Sequence, residues 1–207
     1  MSGSIDALTG LTVGAEYGPS MDLLIAENIE FALIVLDIDN LEATNKNLGI
    51  QAGDAIFRLI GKHITEMFSE PCKAFRAGAD NFSILMPKHT KEEAFLLAED
   101  LRRRICEEKL TYEGLFQSVS IGVSAYPEDG SRSADVSRRA ESAMVRAKKS
   151  GRNCVCLARE EKLIPKTSHY TQAQLETLSE ISERINVGEA ALLREALDDL
   201  LRKYDTN

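Results

Sequence analysis

No stretch of this chain stays apolar for the roughly 20 residues that a membrane-spanning helix needs. Met1 to Gly14 carries no basic residue and so lacks the start of a secretory signal. The expected location is cytoplasmic, with no membrane contact. No C-x-x-C pair occurs among Cys72, Cys106, Cys154 and Cys156. Cys154 and Cys156 lie in NCVCLA, which reads as a buried strand. Small apolar packing accounts for these thiols better than metal or redox chemistry. Basic residues are in deficit, 25 Lys and Arg against 33 Asp and Glu, for a net charge of −8. A general polyanion binder needs a basic face, so that class is excluded, though a short local DNA-reading element is not. There is no internal repeat and no low-complexity tract.

What is present fits one globular domain with a small appendage, within 207 residues. Phe31 to Ile38, FALIVLDI, is a continuous apolar run rich in branched residues, as expected of a strand covered on both faces. Asp39 with Glu42 predicts a capping box and a helix start. A second helix is predicted from about Gly53 to Phe68, with Ile56, Leu59, Ile60, His63, Ile64 and Met67 at helical spacing. KAFRAGADNFSILM, from Lys73 to Met86, reads as a β-hairpin turning at Ala77 to Asp80. An amphipathic helix follows from about Lys91 to Glu107, a strand from Gln117 to Ala125, a helix from Ala134 to Lys149, and a last strand from Asn153 to Ala158. The order implies an α/β fold: a mixed central sheet with flanking helices. Polar residues with Pro165 mark a boundary. The expected division is 1–158, a linker 159–166, and a second unit 167–207.

Asp37 lies where the buried strand ends, and Asp80 lies at the hairpin tip. If the hairpin neighbours that strand, two carboxylates meet at one sheet edge and can hold a divalent cation against nucleotide phosphates. Lys148 and Arg152 end the later helix and supply positive charge for a triphosphate. Each residue also has an ordinary explanation. Asp39 suits a helix cap, Asp80 a turn, and the two cations a helix C-terminus.

Six ordered matches give the first 158 residues a resemblance. DALTGL from Asp6 is similar to D-x-L-T-G-L, and DIDNL from Asp37 to D-x-D-x-F. Asn45, Gly49 and Gly53-Asp54 match N-D-x-x-G-H-x-x-G-D in part. RAGADNF from Arg76 takes the place of R-x-G-G-D-E-F, SIGV from Ser120 resembles the family strand, and AKKSGRN from Ala147 matches A-K-x-x-G-R-N. Residues 5 to 158 thus resemble a GGDEF domain, the nucleotide-cyclase palm-like fold of diguanylate cyclases. The resemblance implies metal ligands at Asp37 and Asp80 and guanine readers at Asn45 and Asp54. It implies phosphate contacts at Lys148 and Arg152, and Mg²⁺ with a bound guanine nucleotide.

The departures fall on catalysis. Asn81 replaces the signature glutamate and Ala79 the second signature glycine. Lys46 replaces an aspartate, Ile50 a histidine and Glu42 a lysine. The family's feedback motif, R-x-x-D, would fall at Ser69 and Cys72 and is absent, so cyclic di-GMP is not expected there. A neutral amide is a poor substitute for a carboxylate ligand and takes no proton. These changes lead to the expectation of a domain with no catalytic residues left and no turnover.

The C-terminal unit pairs a short strand, Thr167 to Tyr170, with two helices. Leu175, Leu178, Ile181 and Ile185 form one apolar face, and Leu192, Leu193, Ala196, Leu197, Leu200 and Leu201 another. About 40 residues cannot bury this surface alone, so dimerisation or docking is expected. Lys166 to Tyr204 resembles ribbon-helix-helix proteins, of the CopG/Arc kind, through YTxxQLxxL and ALLREAL. That resemblance implies a homodimer through this module and operator DNA as a partner, read by Thr167 and His169. Residues 166–207 hold five Lys or Arg against eight Asp or Glu, so a dimer clasp without DNA is the other reading.

The expected whole is a catalytically inactive, dimeric transcription regulator or adaptor with the groups for a guanine nucleotide. The alternative is an active diguanylate cyclase making cyclic di-GMP from GTP, dimerised by the C-terminal module. A third is an interaction module that binds neither ligand.

Overall fold

The computed structural model describes residues 4–78, 80–110, 112, 117–159 and 166–204. Ala79 and most of the expected linker lie outside them. The chain forms two compact units, Met1–Glu161 and Lys162–Asn207.

The first unit is built on a six-stranded sheet: β1 (Thr12–Val13), β2 (Phe31–Ile38), β3 (Lys73–Arg76), β4 (Asn81–Pro87), β5 (Val119–Tyr126) and β6 (Val155–Leu157). The order is β1-β3-β4-β2-β5-β6. β2 is central and antiparallel to both β4 and β5. The hairpin expected at Lys73 to Met86 forms and lies beside β2, so the condition for bringing the two carboxylates to one edge is met.

Every residue of β2 is buried because helices cover both faces. Side chains alternate along a strand. Ala32, Ile34, Leu36 and Ile38 pack under α3 (Ile50–Met67) and α4 (Lys91–Glu107) with Ile60, Ile64, Leu101 and Ile105. Phe31, Leu33 and Val35 pack under α1 (Tyr17–Ala26) and α5 (Ser133–Lys149) with Met21, Val136, Ala140 and Met144. Asp37 continues the second series and so falls on the α5 side.

Some expectations need correction. The Asp39–Glu42 capping box does not form. Asn40, in the left-handed region, caps the helix α2 (Leu41–Leu48) without a side-chain bond. The Asp39 carboxylate is engaged elsewhere, as described below. Cys154 and Cys156 are only partly buried, because β6 is an edge strand with a neighbour on one side. The helix expected to start at Asp39 forms as α2, whereas β1 and α1 go beyond the sequence reading. α1 contains Gly18 and Pro19 and buries only Met21 fully, so its apolar periodicity is faint.

The second unit contains α6 (Gln172–Ile185) and α7 (Glu189–Tyr204). Thr171 and Gln174 make a reciprocal capping box at the start of α6. Tyr170, Leu175, Ile185, Leu197, Leu200 and Leu201 are all exposed. Residues 166–170 form no strand here. A ribbon strand needs a second strand for its hydrogen bonds, and a single chain supplies none. Among the described residues, no helix is long and apolar enough to cross a membrane.

Gly122 sets how closely α5 approaches the sheet. A Cβ there would sit 1.9 Å from the Ala140 carbonyl oxygen and 2.5 Å from the Met144 nitrogen. Both are helix backbone and cannot swing aside. Gly122→Ala is expected to destabilise the unit by about 3 kcal/mol or more, measured by urea unfolding. A loss below about 1 kcal/mol would contradict this packing.

Candidate functional site

The site gathers where β2 ends, β4 begins and α5 finishes. β2 and β4 are in register so that Asp37 stands directly opposite Asn81. Asp80 precedes Asn81 in the hairpin turn. α5 leads away from the far end of β5 and brings its last turn back to this edge. Lys148 therefore arrives beside Asp37, with Nζ 2.7 Å from Oδ1.

Asp37 is buried, its side chain only 6 % exposed, while Lys148 is about one-third exposed. Burial pushes the Asp37 carboxyl up to about 6. The Lys148 ammonium beside it opposes the rise, and the negative charges of Asp80 and Asp39 add to it. Asp37 Oδ1 and Asn81 Oδ1 are both sealed from solvent, and neither makes an aligned hydrogen bond. The Lys148 contact is an ion pair of close distance rather than a well-directed hydrogen bond.

Carboxylate and amide oxygen donors suit a hard divalent cation. Among the described residues, no three His, Cys, Asp or Glu side chains converge as a metal cage. A Mg²⁺ ion is ordinarily held by one or two carboxylates together with substrate phosphates, so this donor set fits it.

A second cluster lies on α2 and α3. Asn45 Oδ1 is buried without a hydrogen-bond partner. A Cβ on Gly53 would come within 2.1 Å of that oxygen, so the glycine makes room for the amide. Asp54 follows, partly exposed, with Arg58 3.9 Å away on the same helix. Asn45 and Asp54 both carry acceptor oxygens, and that of Asn45 faces Gly53. Glu42, Lys46 and Ile50 are all exposed; Ile50 stands at the start of α3.

Arg152 lies exposed in a tight turn in which Arg152 and Asn153 both have positive φ, +65° and +45°. Asp39 holds that turn. Its carboxylate accepts from Ser118 Oγ at 2.8 Å, Ser120 Oγ at 2.7 Å and the Asn153 amide at 3.0 Å. Sequence reading missed this positioning role. The available signal was Ser118-x-Ser120, two hydroxyls on one side of a strand. Asp6 plays a comparable part, pairing with Arg76 at 3.0 Å just before the hairpin turn. Arg76 in turn lies over the Phe57 ring. In the other unit, Thr167 and His169 are exposed ahead of α6.

Residues 4–154 match the family described as diguanylate cyclase, GGDEF domain. The chain belongs to the GGDEF family. Residues 162–205 match the ribbon-helix-helix domain family. The GGDEF domain of DgcB from Caulobacter crescentus, solved in complex with c-di-GMP, superposes with a TM-score of 0.69 at 26 % identity, covering 75 % of this chain and 93 % of that one. The active GGEEF domain of a diguanylate cyclase from Vibrio cholerae gives 0.66 at 27 % identity, covering 72 % and 96 %. Diguanylate cyclase VdcA of Vibrio cholerae is 34 % identical over 117 residues, 56 % of this chain and 34 % of VdcA. The chain spans less than half the length of the curated relatives it matches.

These relatives overturn the expectation of an inactive regulator or adaptor without turnover. The GGDEF frame here is shared with proteins described as cyclases, one of them as active. The physical reason the signature misled lies in Asn81. Losing the carboxylate removes a charge, but the amide still places a buried oxygen opposite Asp37.

The Asp37 carboxyl yields a pH test. Its folded-state value, about 6, lies above its ordinary 3.8. Its contribution to stability is therefore full below about 4 and lost as pH rises through 6. Asp37→Asn should be more stable than the natural protein at pH 7.5 by roughly 2 kcal/mol, and the advantage should shrink towards pH 4. Thermal unfolding in EDTA at the two pH values checks this, and an equal difference at both would contradict it.

Proposed function

We propose that this chain is a diguanylate cyclase that joins two GTP molecules into cyclic di-GMP, with two copies of the chain facing each other. The observation that carries the reading is the meeting of Asp37, Asp80 and Lys148 at one sheet edge. In this reading Asp37 and Asp80 hold Mg²⁺, which neutralises phosphate charge when bound. Lys148 and Arg152 contact the phosphates. Asn45 and Asp54 accept hydrogen bonds from the guanine edge. Each 3′-hydroxyl attacks the α-phosphate of the other nucleotide, forming two ester bonds and releasing two pyrophosphates. Orientation of the two nucleotides supplies much of the acceleration.

The second unit, following a linker over 159–166, brings the two copies together. Its support is the apolar groove along α6, lined by Tyr170, Leu175, Leu178, Ile181 and Leu193. A second copy placing its own strand against Thr167 to Tyr170 completes a ribbon and covers that groove. Thr167 and His169 then lie on the paired strands, at the positions offered to operator DNA. The acidic excess of the unit makes any such binding weak.

Purified chain incubated with GTP and Mg²⁺ or Mn²⁺ is expected to form cyclic di-GMP, detected by mass spectrometry. Asp37→Ala should lower the rate by at least about 100-fold, in line with loss of a preorganised electrostatic contact. Gly53→Ala tests the guanine pocket separately. The new methyl displaces the Asn45 side chain, so KM for GTP should rise about tenfold, the usual effect of losing one hydrogen bond to a bound base. No dinucleotide from the natural chain with either metal overturns the reading.

A further inference from the structure

Lys148 is assigned to phosphate, yet in the protein alone it is committed to Asp37, with Nζ 2.7 Å from Oδ1. That oxygen is sealed from solvent, as is the Oδ1 of Asn81. The two residues stand directly opposite each other on neighbouring antiparallel strands, a spacing at which paired side chains interact. Buried polar atoms normally find partners, and an orphaned acceptor calls for an explanation. Here a buried carboxylate oxygen paired to an ammonium stands on the strand position opposite a buried amide oxygen that has no hydrogen-bond partner.

An ammonium and a hard metal ion do not share one buried carboxylate oxygen, because like charges a few ångströms apart repel strongly where water is excluded. A carboxylate and an amide carbonyl are both ordinary ligands for such an ion. Lys148 has a long flexible stem and is one-third exposed, so it is free to leave.

We propose that Asp37 Oδ1 and Asn81 Oδ1 form one cation seat, that Lys148 fills it at rest, and that a divalent metal ion displaces the ammonium and so releases it to the nucleotide phosphates. Asn81 is thus a metal ligand in its own right. The inference rests on the cyclase reading only for the identity of the phosphates. It makes metal and Lys148 competitors when no nucleotide is bound and allies when one is.

The test is a titration of the full chain with Mn²⁺ alone, without nucleotide, followed by electron paramagnetic resonance of the free ion. Asn81→Ala should weaken Mn²⁺ binding about tenfold, as expected for the loss of a supporting ligand. Asn81→Asp should tighten it by supplying a charged oxygen at the same place. Lys148→Met should also tighten it, because the competitor is gone, while weakening GTP binding in the presence of the metal. Circular dichroism confirms folding of each variant, and should Asn81→Ala not fold, Asn81→Asp and Lys148→Met carry the test. Unchanged affinity in Asn81→Ala, or weaker Mn²⁺ binding in Lys148→Met, overturns the seat while leaving the cyclase reading standing. Natural protein that binds Mn²⁺ no better than Asp37→Ala also overturns the seat, while formation of cyclic di-GMP by the natural chain decides the cyclase reading separately.

Discussion

The register between β2 and β4 is the constraint on which the candidate site depends. Seven successive residue pairs, from Phe31 opposite Pro87 to Asp37 opposite Asn81, lock the two central strands together. A slip of one residue would turn every side chain of β4 to the other face. It would bury polar groups among Phe82, Ile84 and Met86 and pull the hairpin tip away from Asp37. The core therefore enforces the geometry of the edge. Burial of Leu33 and Val35 under α5 also fixes the side on which Asp37 emerges, and α5 carries Lys148 to that side.

Around that pairing, several buried polar contacts secure the loops at the same edge. Asp39 binds Ser118 just before β5, Ser120 within it, and the backbone of the turn that carries Arg152. Asp6 binds Arg76 at the base of the hairpin. Gly53 leaves space for Asn45. These are positioning contacts, made by short side chains with few rotamers, and they hold loops that would otherwise be the least ordered parts of the domain. At the opposite end of the sheet, Lys91 pairs with Asp129 at 2.8 Å, tying α4 to the turn after β5.

Much of this was legible in the sequence where periodicity was strong. β2 announces itself as an unbroken apolar run. α4 matches its expected span, Lys91 to Glu107, because Thr90 and Glu93 form a real capping box in front of a regular amphipathic pattern. The apparent box at Asp39 and Glu42 failed because a tertiary partner outcompeted the local one. Two serines and a backbone amide, distant in sequence, claimed the carboxylate. The strand expected at Thr167 to Tyr170 does not form in the single chain, where no second strand supplies its hydrogen bonds. The expected loss of turnover failed for a related reason. Residue identity at Asn81 shows a lost charge, whereas only the strand register shows an oxygen kept opposite Asp37.

If this pairing builds a cation seat within a nucleotide site, the metal itself can be located. The most direct measurement is the anomalous difference density of Mn²⁺ in crystals of the protein grown with a non-reacting GTP analogue. The expected result is a manganese peak within about 2.3 Å of oxygens of both Asp37 and Asn81, close to the usual span for small hard cations, with Lys148 turned from Asp37 to the phosphates. A metal ion bound away from Asn81, with Lys148 still paired to Asp37, would contradict the seat.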